Sequence, residues 1–113
     1  MGSRNPHGWM DRVAAAQDRL IATRLRRNRR VLQVARRNLA RWMARDGVRT
    51  RPVFAEWKRV LDCLNAAEIA DFLEHPTPMA RRLRQSSPFA GILTDAERLV
   101  LQRKHEKHEK ARA

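Results

Sequence analysis

The chain has 113 residues, of which 42% are hydrophobic, enough for one modest globular core and too many for a wholly disordered protein. Lys and Arg number 25 against 12 Asp and Glu, a net charge of +13 that favours a polyanionic partner. No stretch approaches about 20 uninterrupted apolar residues, so we expect no transmembrane helix. A helix that lies on a membrane surface normally shows more Phe, Leu and Trp than the apolar stripe of this chain offers, so we expect no membrane partner.

The amino terminus and the single cysteine predict a cytoplasmic protein. Residues 1–6 lack the apolar run of a secretory signal. Cys63 cannot form an internal disulfide and is surrounded by apolar residues in the sequence, which predicts a buried free thiol in a reducing compartment.

Charge is unevenly distributed along the chain. Residues 1–51 contain 14 arginines and 3 aspartates, a net charge of +11, whereas residues 52–113 carry +2. This asymmetry predicts three segments: a basic helical arm over 1–51, a small helical bundle over 52–101 and a charged tail over 102–113.

The arm is predicted to be one long helix over residues 9–45. Neither Gly nor Pro occurs between Trp9 and Asp46, and Gly47 followed by Pro52 is the usual ending of a helix. At about 1.5 Å per residue this helix would span about 55 Å, more than so small a body can cover. Part of it is therefore expected to project or to contact a partner.

One side of this helix carries a heptad seam, with apolar residues at alternating spacings of three and four. Such a seam predicts a coiled coil, formed with a second copy or with another helical protein. An asparagine within a seam commonly determines register and oligomeric state. The seam consists of Ile21, Leu25, Asn28, Leu32, Ala35, Leu39 and Trp42.

The remaining surface of the helix is cationic. Guanidinium groups form paired hydrogen bonds with phosphate, and such a density of arginine is self-repelling without a counter-charge, so these residues are predicted to bind nucleic acid rather than to form only a solvated face. The predicted contacts are Arg24, Arg26, Arg27, Arg29, Arg30, Arg36, Arg37, Arg41 and Arg45.

The segment Thr-Arg-Leu-Arg-Arg-Asn-Arg-Arg over residues 23–30 resembles the arginine-rich RNA-binding motif of viral and phage regulators, especially the Rev class. The resemblance implies a helix that enters a widened RNA groove, with Asn28 reading a base pair between flanking arginines. Three interpretations of Asn28 stay open on the sequence: a register device in a seam, a base reader, or a solvated side chain.

Beyond Asp46 the pattern predicts a bundle of about four short helices, so the fold class is all-α: a long Arg-rich N-terminal helix followed by this bundle. Proline at a first helical turn and capping boxes indicate where the helices begin. The predicted starts are Pro52, Asn65 with Glu68, Thr77, and Thr94 with Glu97.

The segment 81–93 resembles a stretch of short, uncharacterised bacterial proteins, which implies no particular function. Physically it reads as a polar helix end, a Pro break and an apolar plug of Phe89, Ile92 and Leu93 that closes the core. A second phosphate-binding patch, formed from its arginines and paired serines, is the alternative.

In the tail, Arg103 and His108 have a spacing that resembles the ribonuclease motif of HEPN domains, which implies a cleavage site shared by two copies. His105 and His108, one turn apart, could also hold a metal with Glu109. A charged tail that frays into solvent is the favoured interpretation, and we expect no catalysis, metal or cofactor.

Together these patterns predict a non-catalytic nucleic-acid-binding protein, with RNA favoured over DNA. A ribonucleoprotein, a phage regulator and a toxin–antitoxin component are all compatible with the sequence. The alternative is a helical protein-interaction module that uses the seam and binds an acidic partner.

Overall fold

The structure, a computed structural model, describes the backbone of residues 8–75 and 77–112, with side chains as far as Lys107. These residues form six α-helices and no strand, which confirms the all-α fold class. The helices are α1 (Gly8–Arg27), α2 (Arg30–Asp46), α3 (Pro52–Cys63), α4 (Ala66–Glu74), α5 (Pro78–Arg84) and α6 (Asp95–Arg112).

The predicted single helix over 9–45 is two helices, separated at Asn28 and Arg29. The Oδ1 atom of Asn28 accepts a hydrogen bond from the backbone N–H of Arg30 at 3.0 Å. This Asx turn offers the backbone an alternative to the helical bond, so α1 ends and α2 begins within three residues.

The break bends the arm back onto the rest of the chain. Placed end to end, α1 and α2 would span about 55 Å at 1.5 Å per residue, but the longest dimension of the molecule is 46 Å. The expectation of a projecting helix is therefore corrected, because α1 packs against α4 and α6 while α2 packs against α3.

The helix starts read from the sequence are confirmed. Asn65 and Glu68 exchange side-chain and backbone hydrogen bonds at 2.8 and 3.0 Å, and Thr94 and Glu97 do the same at 3.1 and 2.9 Å. Thr77 accepts a bond from the N–H of Ala80. These caps satisfy backbone N–H groups that have no partner within their own helix.

A single hydrophobic cluster includes residues from both the predicted arm and the predicted bundle, from Ile21 to Leu93. Trp57 is fully buried in it, and its indole Nε1–H donates to the carbonyl oxygen of Leu83 at 2.7 Å. The rings of Phe72 and Phe89 lie edge-on to Trp57, with centroids 5.7 and 6.2 Å away. The apolar plug of segment 81–93 thus closes onto α3.

The seam residues face this internal core. The five that are buried are Ile21, Leu25, Leu32, Ala35 and Leu39. Trp42 is half-buried and packs on Phe54. Asn28 is exposed at the helix break, so its assignment to a buried stripe is corrected: the chain turns where the heptad pattern would have continued.

The buried asparagine of the arm is Asn38, which the sequence analysis did not single out. Its Nδ2 group donates to the carbonyl oxygens of Pro88 and Ala90 at 2.9 and 3.0 Å, and its Oδ1 accepts from Arg41 at 2.8 Å. Asn38 therefore fastens the loop after α5 to α2 with every polar atom of its side chain engaged.

Two expectations about exposed regions are corrected. The segment from Gln102 onward continues α6 as far as Arg112 instead of fraying, although the side chains of His108 and Glu109 lie outside the described residues. Cys63 is exposed at the end of α3, not buried, because the apolar face of α3 presents its neighbours Val60 and Leu61 to the core.

We expect Asn38→Ala to lower the free energy of unfolding by about 1–3 kcal/mol, because two carbonyl groups of the loop lose their donor. Urea denaturation at constant slope measures the change. Asn28→Ala is the comparison variant, and it should cost about 1 kcal/mol or less since its single bond is exposed to water. Equal losses in the two variants would contradict the role assigned to Asn38.

Candidate functional site

The structure divides the nine predicted contact arginines into two groups. Three of them, Arg24, Arg26 and Arg36, are engaged by other helices of the chain. The other six lie exposed along the turn and α2: Arg27, Arg29, Arg30, Arg37, Arg41 and Arg45.

Arg24 joins α1 to the start of α6. Its Nη1 group donates to the carbonyl oxygen of Ile92 at 3.1 Å and to Oε1 of Glu97 at 3.0 Å, and its second amine pairs with the other carboxylate oxygen. Glu97 is also the capping residue of α6. Arg24 is half-buried in this contact and is thereby committed to the fold.

Arg26 joins α1 to α4, with Nη2 at 2.7 Å from Asp71 and Nη1 at 2.8 Å from Glu74. The hydrogen bonds to Glu74 and then Asp71 raise the pKa of Arg26, so its charge is balanced locally. Arg36 donates to the carbonyl oxygen of Leu61 at 3.1 Å, which ties α2 to α3.

Five of these six arginines form no ion pair with a carboxylate among the residues that the structure describes, and we call them the arginine ridge: Arg27, Arg29, Arg30, Arg37 and Arg41. Arg41 is held by the amide oxygen of Asn38, which leaves the rest of its guanidinium free to donate. Arg45, next along α2, pairs through Nε with Asp46 at 3.2 Å.

Helical geometry aligns this ridge. At 100° per residue, Arg30, Arg37 and Arg41 lie within about 40° of one another, opposite the buried Leu32 and Leu39. No acidic residue occurs on α2 before Asp46, so this face carries charge of one sign only. The periodicity of the sequence identifies the arginines on this face, but it does not show that they lack ion pairs with carboxylates of the described residues.

The start of α2 adds to the positive potential. The first turn of α2 contains no acid, and Arg29, at the N-cap position, forms no side-chain capping bond. The partial positive charge of a helix N-terminus is usually offset by an acidic residue, whereas here Arg29 and Arg30 reinforce it. A neighbouring cleft of about 470 Å³ between the turn and the start of α4 is lined in part by Arg26 and Arg29.

A second feature, which sequence reasoning missed, is the carboxylate of Asp18 on α1. It is buried beside Arg84 of α5, with 3.1 Å between Oδ2 and Nε, at the edge of a cleft of about 620 Å³. Burial raises the pKa of Asp18 to about 7, although Arg84 and Arg19 act to lower it. A helical period does place Asp18 on the same side as Ile21 and Leu25, which is the signal that could have identified it.

Other predicted chemistry is not assembled in the described part of the chain. Among its side chains, no three His, Cys, Asp or Glu residues converge as metal ligands. Of the tail residues, Arg103 is exposed and His105 is half-buried, while the His108 side chain lies outside the described residues. None of the described helices is long and apolar enough to cross a membrane.

Comparisons with protein-family models, with curated proteins and with solved structures found no match to this chain. Function is therefore inferred from the chemistry of its own surface.

The burial of the Asp18 carboxyl group makes stability depend on pH. Because the folded pKa of Asp18, about 7, lies above the ordinary value, the folded state binds the proton more tightly. The contribution of Asp18 to the free energy of unfolding is therefore fully present below about pH 4 and is lost as the pH rises through about 7.

We accordingly expect the melting temperature of Asp18→Asn, relative to that of the wild-type protein, to rise between pH 5 and pH 8, since the amide has no proton to lose. Thermal unfolding followed by circular dichroism measures this difference. Asp62→Asn, which removes an exposed carboxylate on α3, is the control for a simple change of net charge. A constant difference between wild type and Asp18→Asn across this range would contradict the assignment.

Proposed function

We propose that this chain is a non-catalytic protein that binds nucleic acid, RNA in preference to DNA, through phosphate contacts from the arginine ridge. The observation that supports the proposal is the separation of the predicted contact arginines into a set bonded to other helices, Arg24, Arg26 and Arg36, and an exposed set that includes the arginine ridge. The five arginines of the ridge have no carboxylate partner among the described residues, so a polyanion can supply their counter-charge.

Electrostatics favours such a ligand. Like charges held along one helix face repel each other, and the start of α2 adds a partial positive charge of its own. A polyanion removes this repulsion and releases its condensed counterions, which is the main source of affinity in phosphate-dominated complexes. Arginine also suits phosphate geometrically because its planar fork donates two parallel hydrogen bonds.

The dimensions of the ridge suit a short length of strand. From Arg30 to Arg41 the helix rises about 16 Å at 1.5 Å per residue. That length corresponds to about five nucleotide steps at the 3.4 Å rise of a stacked strand, and to fewer steps of an extended strand. The turn at Arg27 and Arg29 changes the direction of the ridge, which suits a flexible or looped strand better than a straight duplex.

The preference for RNA rests on the resemblance of residues 23–30 to the arginine-rich motif and on this bent shape. Helix α1 ends at Arg27, inside that segment, so insertion of one continuous helix into a groove is not part of the proposal. The Oδ1 atom of Asn28 is occupied by Arg30. Proteins that recognise RNA sequence mostly bind single-stranded loops and ends, a mode open to an exposed ridge.

The alternative, a protein-interaction module built on the seam, is less well supported. Five of its seven residues, Leu25 and Leu32 among them, are buried within the chain. A partner helix could occupy the seam only by displacing part of the protein's own core. An acidic protein bound to the ridge is instead an outcome that the experiments below can reveal.

We expect the triple variant Arg27→Gln, Arg30→Gln and Arg37→Gln to bind a single-stranded RNA more weakly at every sequence tested. Each lost phosphate contact flattens the dependence of log affinity on log salt by about 0.7, so the three together should lower the slope by about 2. Fluorescence anisotropy titrations from about 50 to 200 mM salt measure both quantities.

The matched control removes the same charge elsewhere: Arg59→Gln, Arg81→Gln and Arg103→Gln, three exposed arginines on α3, α5 and α6. Its affinity and slope should stay closer to those of the wild-type protein. If both triple variants lose the same affinity for RNA, binding follows net charge and the ridge is not the site. If the protein binds a polyglutamate peptide more tightly than RNA, the acidic-protein alternative is favoured. If it binds DNA of the same sequence more tightly than RNA, the proposed preference for RNA is wrong.

A further inference from the structure

A small cleft lies between α2, the start of α3 and the loop after α5, close to Arg41, the last residue of the arginine ridge. Its volume is about 300 Å³, at the lower limit of ordinary ligand pockets. Its lining consists of Trp42, Arg45, Arg51, Phe54, Gln85, Ser86 and Ser87. No carboxylate is among these residues, so the cleft combines aromatic, cationic and neutral hydrogen-bonding groups.

The aromatic wall is held in a fixed position. The rings of Trp42 and Phe54 have centroids 5.4 Å apart and planes inclined at 35°, and Phe54 is buried behind Trp42 in the core. Trp42 itself is only half-buried, so part of its indole lines the cleft. An immobilised aromatic ring stacks on a planar ligand with little further loss of side-chain entropy.

Two cations lie at the edges of this wall. The guanidinium carbon of Arg51 is 5.5 Å from the centroid of Phe54, a cation–π contact that leaves its N–H groups available. Arg45 uses Nε to bind Asp46 and keeps its two terminal amines for another acceptor. Both guanidinium groups can therefore bind phosphate beside the aromatic wall.

The third wall provides neutral groups. Gln85 is exposed and its amide can both donate and accept, which matches the edge of a nucleobase. The Ser87 hydroxyl oxygen accepts a bond from the N–H of Phe89 at 3.2 Å, so its own hydrogen is free to donate. Ser86 adds a second hydroxyl.

We propose, on the basis of the proposed function, that this cleft binds one unpaired nucleobase of the strand whose phosphates lie on the arginine ridge. Trp42 stacks on the base, Arg45 and Arg51 bind the flanking phosphates, and Gln85 meets the base edge. Because bases in a duplex are stacked on both faces and paired at their edges, the cleft selects single-stranded nucleic acid. Arg45, which lines the cleft, lies one helical turn after Arg41 on α2, which places the cleft next to the end of the ridge.

An acidic peptide is a less suitable occupant. Its carboxylates would satisfy Arg45 and Arg51 but leave Trp42 without a planar partner. A purely apolar ligand would use the rings and leave the remaining N–H groups of Arg45 and Arg51 without an acceptor. A nucleotide uses both features, since each base has an aromatic face and each phosphate a negative charge.

The first test uses the wild-type protein. A ten-nucleotide RNA is compared with an abasic strand of the same length and charge and with an RNA duplex containing the same strand. Because the abasic strand has no base to stack on Trp42, we expect it to bind about tenfold more weakly or worse. Equal affinity for the intact and abasic strands, or tighter binding of the duplex, would overturn the inference.

The second test uses Trp42→Leu, which keeps an apolar side chain against Phe54 but removes the ring. We expect about a tenfold loss of affinity for the single strand and no change for the duplex. Trp9→Leu is the matched control, since Trp9 is also half-buried but does not line the cleft. Intrinsic fluorescence should be quenched by the strand in the wild-type protein and in Trp9→Leu, and much less in Trp42→Leu.

The outcomes separate the two proposals. If the ridge variant loses affinity while Trp42→Leu and the abasic strand behave like wild type, the ridge binds phosphate and the base cleft is wrong. If the wild-type protein binds neither strand nor duplex, the proposed function fails, and the cleft with it. A mononucleotide that quenches the fluorescence as strongly as the ten-nucleotide strand, at the same molar concentration, would show a free-nucleotide site instead.

Discussion

The turn at Asn28 and Arg29 is the constraint on which the architecture depends. At this turn the backbone N–H of Arg30 bonds to the side chain of Asn28, and the burial of apolar residues of both α1 and α2 in one core stabilises the bend more than this exposed hydrogen bond does. Because the chain bends there, the apolar stripes of α1 and α2 contact different parts of the same core. A straight helix would have left much of that stripe in water, at about 25 cal/mol for each Å² of exposed apolar surface.

The bend also determines which arginines are free. Helix α1 lies against α4 and α6, whose acids meet Arg24 and Arg26, and the backbone of α3 accepts a bond from Arg36. The two acids of α3, which packs against α2, pair elsewhere: Asp62 with Lys58 and Glu56 with Arg82. The ridge thus collects those arginines of the predicted contacts that neither form an ion pair nor bond to another helix, and three of its five members, Arg30, Arg37 and Arg41, lie on one face of α2.

The proposed interface is rigidly supported. Asn38 fastens the Pro88–Ala90 loop to α2 and positions Arg41, while the adjacent loop residues Ser86 and Ser87 form one wall of the base cleft. The ring of Trp42 rests on the buried Phe54. Such support reduces the entropy lost when a ligand binds, so modest numbers of contacts can give useful affinity.

By itself the sequence determined the fold class, the helix starts at Pro52, Asn65, Thr77 and Thr94, and the excess of arginine on the arm, because these follow from local periodicity, capping and composition. It did not determine that Asn28 breaks the helix or that Asn38 is buried, since both asparagines are compatible with a helix pattern and only their surroundings distinguish them. Three features depend on residues that are far apart in the chain: the ion pair between Arg26 and Glu74, the burial of Asp18, and the cleft at Trp42. Only the tertiary structure determined these features. The free energy of a charged group depends on the charge of its spatial neighbours and on its exposure to water, and the local sequence specifies neither.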